Sequence, residues 1–186
     1  MPTKRILGID PGSRITGFGI IELKDNHKPV CLTGGCVRLT STDMPSRLAR
    51  LFAEIQDIVK QFKPTELAIE QVFVQKNVAS ALKLGQARGV AIAAVMSASI
   101  PVYEYAARQV KLAIVGKGNA DKSQIQHMIQ ILLNLTHSPQ ADAADALAVA
   151  LCHSHMMSSP LRLEPSRKRR TSRSKAWTKY DRTTPR

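Results

Sequence analysis

Apolar residues in the first forty positions fall into three runs separated by short stretches rich in Gly, Pro or Asn. The runs cover residues 6–10, 15–23 and 30–39. Short apolar runs bounded by turn-forming residues are typical of β-strands. Because the connections are short, the pattern predicts three consecutive strands that pair as an antiparallel meander.

The hydrophobic spacing then changes from that of strands to that of helices. Residues 46–62 carry apolar side chains three and four positions apart, and the pattern stops just before Pro64. The later predicted elements are a strand at 67–70, a helix at 78–97, a strand at 101–105, and helices at 106–115, 122–134 and 141–156. Hairpin strands followed by alternating helices and strands predict an α/β fold, with a mixed sheet and helices on its faces.

The predicted helix at 78–97 carries small residues at every fourth position, namely Ala81, Gly85, Gly89 and Ala93. Each glycine in a helix interior costs about 1 kcal/mol relative to alanine. Close backbone approach to another element offsets such a cost. We expect this approach within the monomer, with contact to a second subunit as the alternative.

Composition divides the chain near residue 157. Residues 158–186 contain ten Lys or Arg against two acids, a net charge of +8, and almost no aliphatic side chains. Such composition is typical of disorder. We therefore predict one domain at 1–157 and a disordered basic tail, in which Trp177 and Tyr180 would stack on exposed bases. The alternative is a tail without function.

The whole chain has a formal net charge of +13 and a pI near 10.1. This charge favours a polyanionic partner, because cationic side chains that neutralise phosphates release counterions. A membrane surface is the competing polyanion, but no apolar run reaches the ~20 residues that a membrane span needs. The three cysteines are an odd number without C-x-x-C spacing, which argues against a disulfide framework or a zinc ribbon. We expect a cytoplasmic protein with no membrane contact.

Four acidic residues stand where a metal-dependent nuclease would need them. Asp10 and Glu70 each close an apolar strand, and strand ends are a common location for the chemistry of sheet folds. Asp142 and Asp145 are three apart on a predicted helix and therefore share a face. Like charges held this close repel each other unless a cation compensates them, and a hard divalent ion with oxygen ligands would do so.

Each acid also has a simpler interpretation. Asp10 before Pro-Gly is typical of a turn, and Glu70 can be a solvated strand end. The sequence Ser138-Pro139 predicts an N-cap and first helical residue, so the helical pair can merely complement the helix dipole. That last explanation is weakened because the helix continues without a polar face and should be buried. Buried acids need partners, and the neighbouring sequence offers no Lys or Arg.

Five segments together resemble the RuvC-type Holliday junction resolvases of the ribonuclease H-like superfamily. They are GIDPGS at residues 8–13, AIEQVF at 68–73, SALKLGQARG at 80–89, EYAARQVK at 104–111 and PQADAADA at 139–146. The first segment alone is weak, since a similar string opens the phosphate-binding turn of actin-like ATPases and sugar kinases. The combination and order of all five are highly specific.

The resemblance implies a ribonuclease H-like fold with a five-stranded mixed sheet, a homodimer, and Mg²⁺-dependent cutting of four-way DNA junctions in recombination and repair. It also suggests partnership with a branch-migration motor. The family's catalytic and metal-binding carboxylates correspond to Asp10, Glu70, Asp142 and Asp145. Expected DNA contacts are Phe73 and Lys76 in the loop after the second acid, Lys83, and the basic residues Lys111 and Lys122.

Two hard cations about 4 Å apart, bridged by Asp10, would activate a water and stabilise the leaving oxygen in an in-line attack on phosphorus. We expect two Mg²⁺ ions per site, with Mn²⁺ able to substitute. Two alternatives remain at this point. One is a non-catalytic junction-binding protein of the same fold, against which the complete carboxylate set argues. The other is a fragment of an actin-like ATPase, whose duplicated domains need a longer chain.

Overall fold

The computed structural model describes residues 3–24, 28–71 and 77–158. Five strands and five helices follow the predicted order. The elements are β1 (Lys4–Asp10), β2 (Ile15–Leu23), β3 (Pro29–Arg38), α1 (Met44–Phe62), β4 (Glu66–Glu70), α2 (Val78–Met96), β5 (Val102–Tyr105), α3 (Ala107–Val115), α4 (Lys122–Leu132) and α5 (Ala141–Ser158).

The strands form one mixed sheet in the order β3-β2-β1-β4-β5. The first three strands pair antiparallel, which confirms the predicted meander. Strands β4 and β5 lie parallel to β1 on its other side, reached through helical crossovers. The predicted fold class, a five-stranded α/β sheet flanked by helices, is confirmed.

Alternate side chains of the central strands face opposite layers of helices. Leu7 and Ile9 of β1, with Leu67 and Ile69 of β4, pack in one cluster with α1 and α2. The side chains between them face the layer formed by α3, α4 and α5, as Ala68 does. This period of two places residues 6, 8 and 10 of β1 and residues 66, 68 and 70 of β4 on the α5 side.

Helix α5 lies directly on the backbone of the central strands because glycines stand where side chains would otherwise intervene. A Cβ atom added to Gly8 would lie 2.0 Å from the carbonyl oxygen of Ala146, and one added to Gly17 would lie 1.9 Å from that of Asp142. Neither distance is possible between real atoms, so only glycine fits at these two positions. The glycines therefore fix how closely the acidic start of α5 approaches the sheet.

The predicted helix start at residue 141 is confirmed, but the interpretation of Ser138-Pro139 as N-cap and first helical residue was wrong. The helix begins at Ala141, and Gln140 rather than Ser138 supplies the first carbonyl, which accepts from the amide of Ala144. Pro139 lies outside the helix, where its carbonyl accepts a hydrogen bond from the side chain of Gln126 on α4. A tertiary contact has displaced the local N-cap preference.

The expectation that the small-residue stripe of α2 packs inside the monomer was also wrong. The residues of α2 that are buried are Ala87, Ala91, Ala94 and Val95. In contrast, Gly85 and Gly89 are exposed, and a Cβ added to either would meet no atom within 4 Å. The stripe faces outward, together with the exposed apolar side chains of Val78 and Leu82.

Helix α2 has the length and apolar composition that a membrane span requires. It is the one such helix in the part of the chain that the structure describes. This is weak evidence for a membrane, since helices of soluble proteins pass the same test. Lys83 and Arg88 also lie within the helix.

Candidate active site

Asp10 and Glu70 end two neighbouring parallel strands at the same edge of the sheet. The last residues paired between β1 and β4 are Ile9 and Ile69, so the two acids follow that pair directly. Both side chains are on the α5 side by the alternation of the strands. The turn after Asp10 is held by Thr16, whose buried hydroxyl donates to the carbonyl of Gly12 and accepts from its amide.

Asp142 and Asp145 reach the same edge from the first turns of α5. Each is partly exposed, whereas Ala143, Ala144 and the following turns are buried. The predicted burial of this helix is confirmed, and its two acids stay at the rim of the buried surface. Because α5 contacts β2 at Gly17 through the Asp142 carbonyl, these carboxylates are held beside the end of β1.

The four acids influence one another electrostatically. The pKa of Asp10 is raised to about 7, first by burial and then by the charges of Asp145, Glu70 and Asp142, against the opposing charge of Lys122. Burial and the charge of Asp145 also raise the pKa of Glu70. Burial and the neighbouring carboxylates both disfavour the ionised form of Asp10, and a nearby cation would favour it.

One such cation is present within the chain. Lys122, at the start of α4, forms an ion pair with Asp145, its Nζ lying 3.2 Å from Oδ2. The sequence next to the helical acids offers no basic residue, and this partner comes from 23 residues away, at a position that the family resemblance had indicated. Asp145 raises the pKa of Lys122, and Asp10 and Asp142 act in the same direction.

Lys111 also lies near the cluster, since its positive charge opposes the rise in the pKa of Glu70 that burial and Asp145 cause. Its Nζ donates a hydrogen bond of 2.8 Å to the carbonyl of Ala120, two residues before Lys122. Lys111 therefore ties the end of the α3–α4 connection to the site. The structure places both predicted basic residues beside the acids.

The donor chemistry fits a divalent cation, because four carboxylates supply the hard oxygen ligands that such ions prefer. The mutual repulsion at Asp10 supplies the electrostatic reason for binding one. Across residues 3–24, 28–71 and 77–158, no three metal-binding side chains are already close enough to form a complete cage. The carboxylates would therefore have to draw together around an ion.

The remaining predicted DNA contacts are only partly located. Lys83 is exposed on α2, on the helix layer opposite α5. It is not among the charges that shift the pKa of Asp10 or Glu70. Phe73 and Lys76 lie in residues 72–76, outside the described part of the chain, as does the basic tail after residue 158.

Arg88 is a residue near the site whose role the sequence did not reveal. Its Nε donates to the backbone carbonyl of Glu70 at 3.1 Å, and its Nη2 lies 2.9 Å from Oε2 of Glu104. Arg88 therefore links α2 to the ends of β4 and β5. It lies in the segment 80–89 that carried the family resemblance, but nothing in its spacing pointed to the carbonyl of Glu70.

His153 is a second residue whose role the sequence did not reveal. It lies in the last turns of α5, which ends at Ser158. His153 is 1% exposed and bonded to Tyr105 and Glu66. Its partners are distant in sequence, so no local pattern could have identified them.

Comparisons with known proteins agree with this geometry. A family model described as crossover junction endodeoxyribonuclease RuvC matches residues 6–153. The RuvC of Proteus mirabilis is 54% identical over 158 residues, which cover 85% of this chain and 91% of the relative. The RuvC of Vibrio cholerae serotype O1 (strain M66-2) is 57% identical over 150 residues, which cover 81% and 86%.

Solved structures give the same result. Thermus thermophilus RuvC in complex with a Holliday junction substrate superposes with a TM-score of 0.76 and 34% identity, covering 81% of this chain and 93% of that one. The yeast mitochondrial Holliday junction resolvase Ydc2 has a TM-score of 0.61 at 15% identity, covering 82% and 80%, and shows the fold alone. The chain belongs to the RuvC family of crossover junction endodeoxyribonucleases.

Proposed function

We propose that this protein is a structure-selective endonuclease that resolves four-way DNA junctions by paired, symmetric hydrolysis of two strands. The observation that carries the proposal is the meeting of Asp10, Glu70, Asp142 and Asp145 at one edge of the sheet, with the pKa of Asp10 raised by its burial and by the charges of the other three. The chain's net charge of +13 provides the affinity for DNA. Resolution of junctions places the protein in DNA recombination and repair.

Nucleases of this family depend on divalent metal ions. We assign the ions to the four carboxylates and expect two Mg²⁺ per site, with Mn²⁺ as a substitute. When bound, such ions supply an activated water and stabilise the charge on the leaving oxygen. The chain itself contributes a partly buried, anionic pocket whose ligands are set on two strand ends and one helix.

Lys122 and Lys111 balance this anionic pocket at its rim. The side chain of Lys122 is 79% exposed even though it pairs with Asp145. A mobile, hydrated cation in this position is suited to contact a DNA phosphate as the strand enters. Lys111 is less mobile, because it holds the carbonyl of Ala120.

The homodimer rests on a symmetry argument and on α2. A four-way junction presents two strands of like polarity related by a two-fold axis, and a two-fold dimer would bring one carboxylate cluster to each. The outward stripe from Ala81 to Ala93 is the surface that we assign to the contact, because nothing in the described monomer covers Gly85 or Gly89. Replacing Gly85 with Glu should then shift the sedimentation of the protein from dimer to monomer.

The basic tail from residue 158 to 186 is proposed to act as an electrostatic arm that binds any duplex. Residues 1–157 would form the nuclease domain. We further propose a cytoplasmic protein that works with a branch-migration motor. Deleting the tail should weaken binding and flatten its salt dependence by ~0.9 in log-log slope for each phosphate that the tail neutralises in the full-length protein.

The decisive experiment offers the purified protein a synthetic four-way junction and a linear duplex of matched sequence, each with Mg²⁺ or with EDTA. Resolution of the junction into two nicked or ligatable duplexes, dependent on Mg²⁺ and absent for the linear duplex, is the expected result. Equal cutting of both substrates would reject junction selectivity. Junction binding without cutting at any divalent ion concentration would instead support the non-catalytic alternative.

A further inference from the structure

A chain of buried polar side chains crosses the interface between α5 and the sheet. The hydroxyl of Tyr105 lies 2.5 Å from Nδ1 of His153, and Nε2 of His153 lies 2.7 Å from Oε2 of Glu66. The other carboxylate oxygen of Glu66 pairs with Nζ of Lys4 at 2.7 Å. We call Glu66, Tyr105 and His153 the polar triad.

The triad is fully integrated into the core. Tyr105 and His153 are each 1% exposed and Glu66 is 9% exposed. The ring of Tyr103 packs on that of His153 with centroids 4.3 Å apart. Burial alone would raise the pKa of Glu66, but hydrogen bonds from His153 and Lys4 hold it below its usual value.

Stability does not explain why the protein buries these groups. Desolvating a charged or polar side chain is unfavourable, and well-packed apolar residues of similar volume often replace such sets without loss of stability. The best attested use of a buried polar set is to fix one register between packed elements. Hydrogen bonds can do this because they depend on direction and distance.

The rest of the α5 interface has little directional character. Its sheet-facing residues include Ala146, Leu147 and Ala150, which pack on Gly8 and Gly19. Contacts of this kind are favourable over a range of small sliding motions, since the hydrophobic effect is non-directional. Because α5 packs on glycines, it needs another contact to fix its position along its own axis.

The spacing of the triad relates it to the acids. Glu66 and Glu70 share one face of β4 and are four residues apart, which corresponds to roughly 13 Å along a strand. Asp145 and His153 are eight residues apart on α5, which corresponds to about 12 Å along a helix. The hydrogen bond between Glu66 and His153 therefore brings Asp145 level with Glu70. The charge of Asp145 accordingly raises the pKa of Glu70.

We propose that the polar triad sets the axial register of α5 on the sheet, so that Asp142 and Asp145 lie beside Asp10 and Glu70, where a divalent ion can draw the four carboxylates together. The three residues are positioning residues and touch no substrate. This inference rests on the proposed function, because it assigns the ion to those four acids. It predicts that the metal response, meaning the rise in melting temperature on adding a divalent ion, can be lost while the fold is kept.

The test replaces the whole triad with apolar residues in the full-length protein, as Glu66→Leu, Tyr105→Phe and His153→Leu together. Thermal melts in EDTA should show a cooperative transition near that of the wild type. The rise in melting temperature on adding Mn²⁺ without DNA, which reports metal binding, should be largely lost. Cutting of the four-way junction should fall on the order of tenfold or more, as expected for ligands displaced by about 1 Å.

Three single variants distinguish a loss of α5 register from a loss of core packing. They also cover the case in which the triple variant does not fold. Cys152→Ala disturbs the neighbouring buried residue of α5 and should lower the melting temperature while keeping the metal response. Glu66→Gln keeps an acceptor beside His153 and should retain more of the metal response than Glu66→Leu. Equal metal responses of these two Glu66 variants, or a normal response in a folded triple variant, would overturn the proposal.

The wild-type measurement distinguishes this inference from the proposed function. If the wild type neither binds Mn²⁺ nor cuts the junction, then the proposed function fails. If the wild type does both and the triple variant does them equally well, then only the register role of the triad fails. Unchanged junction binding in EDTA by all variants is the expected sign that the DNA surface is intact.

Discussion

The two faces of the central sheet are built on different principles. On the α1 and α2 side, β1 and β4 present large aliphatic residues such as Leu7, Ile9 and Leu67, which interdigitate with Leu51 and Ile55. On the α5 side, the same strands present glycine, alanine and charged residues beside the buried Ile6. Large aliphatic side chains stabilise the first face, whereas the second face adds close backbone approach and hydrogen bonds to its apolar packing.

The difference follows from what each face must do. A face that only stabilises the fold can exchange one aliphatic residue for another of similar volume at modest cost. A face that places four carboxylates must hold its helix within a fraction of an ångström. The α5 face therefore combines a backbone contact at Gly8 with hydrogen bonds at His153, and its sequence should tolerate change less well.

The largest expected effect comes from removing one acid of the α5 face. Asp10→Asn is isosteric and removes a single charge, so the folded protein should still bind the four-way junction in EDTA. Cutting with Mg²⁺ should fall by at least about 10³-fold, because ion-mediated stabilisation is worth several kcal/mol and each 1.36 kcal/mol is tenfold in rate. Single-turnover cleavage of a saturated junction measures this directly.

The matched control is Glu22→Gln, which removes a partly buried carboxylate from β2 that pairs with Arg5 at 2.8 Å. It should leave the cleavage rate unchanged. Glu70→Gln, Asp142→Asn and Asp145→Asn should each behave as Asp10→Asn does. An acid whose replacement leaves near wild-type cutting at low Mg²⁺ would not belong to the site.

The second prediction compares the faces at neighbouring residues of one strand. Gly8→Ala places a Cβ 2.0 Å from the Ala146 carbonyl and should cost about 4 kcal/mol or more of unfolding free energy. Ile9→Val, on the other face, should cost only about 0.5 to 1.5 kcal/mol. Urea unfolding of both variants gives the comparison, and similar losses would show that α5 can move away from the strand.

Replacing a helical glycine of α2 should change the free energy of unfolding in the opposite direction to Gly8→Ala. A Cβ at Gly89 meets no atom within 4 Å in the monomer, so Gly89→Ala should raise helix stability by roughly 0.5 to 1 kcal/mol. If α2 pairs closely with a second subunit, then this gain appears only at protein concentrations low enough to give monomers. Unfolding measured at two concentrations separates the two contributions.

The third prediction concerns the pH dependence of the metal-free protein. The folded-state pKa of Asp10 is raised from 3.8 to about 7. Its stabilising contribution is therefore fully present below about pH 4 and is lost as pH rises through 7. Asp10→Asn lacks this loss, so in EDTA it should exceed the wild type by roughly 4 kcal/mol well above pH 7 and by little near pH 4.

Denaturant unfolding in EDTA at several pH values between about 4.5 and 8.5 tests the sign. Mg²⁺ should then favour the wild type, because only the wild type keeps all four ligands. Stability curves of wild type and Asp10→Asn that run parallel across this range would show that Asp10 is not electrostatically strained.

Much of the fold was predictable because local sequence patterns mark the helices and strands. The strand Ile15–Leu23 and the ends of α1 at Phe62 and α3 at Val115 match the expected positions, since turn residues and Pro64 mark them in the sequence. Asp10 and Glu70 were identifiable for the same reason, as acids that close apolar runs. Asp142 and Asp145 were identifiable from their spacing of three on a predicted helix, and the family resemblance assigned all four acids to one site.

The features that escaped prediction depend on contacts distant in sequence. The partner of Asp145 is Lys122, and that of Glu66 is His153, 87 residues away. Pro139 lies before α5 and not in its first turn, because its carbonyl accepts a hydrogen bond from Gln126. The α2 stripe was misassigned because helical glycines look the same from sequence whether their partner is the same chain or another one.

The smallest expected effects are those of single lysines on the two faces. Lys122→Gln and Lys83→Gln should each lower the log-log salt slope of junction binding by ~0.9 if each contacts one phosphate. Only Lys122 lies beside the acids, through its ion pair with Asp145. Lys122→Gln should therefore also slow cutting of junctions that are already bound, whereas Lys83→Gln should leave that rate unchanged. A slower rate with Lys83→Gln would mean that the α2 face, and not only the α5 face, helps to place the scissile strand.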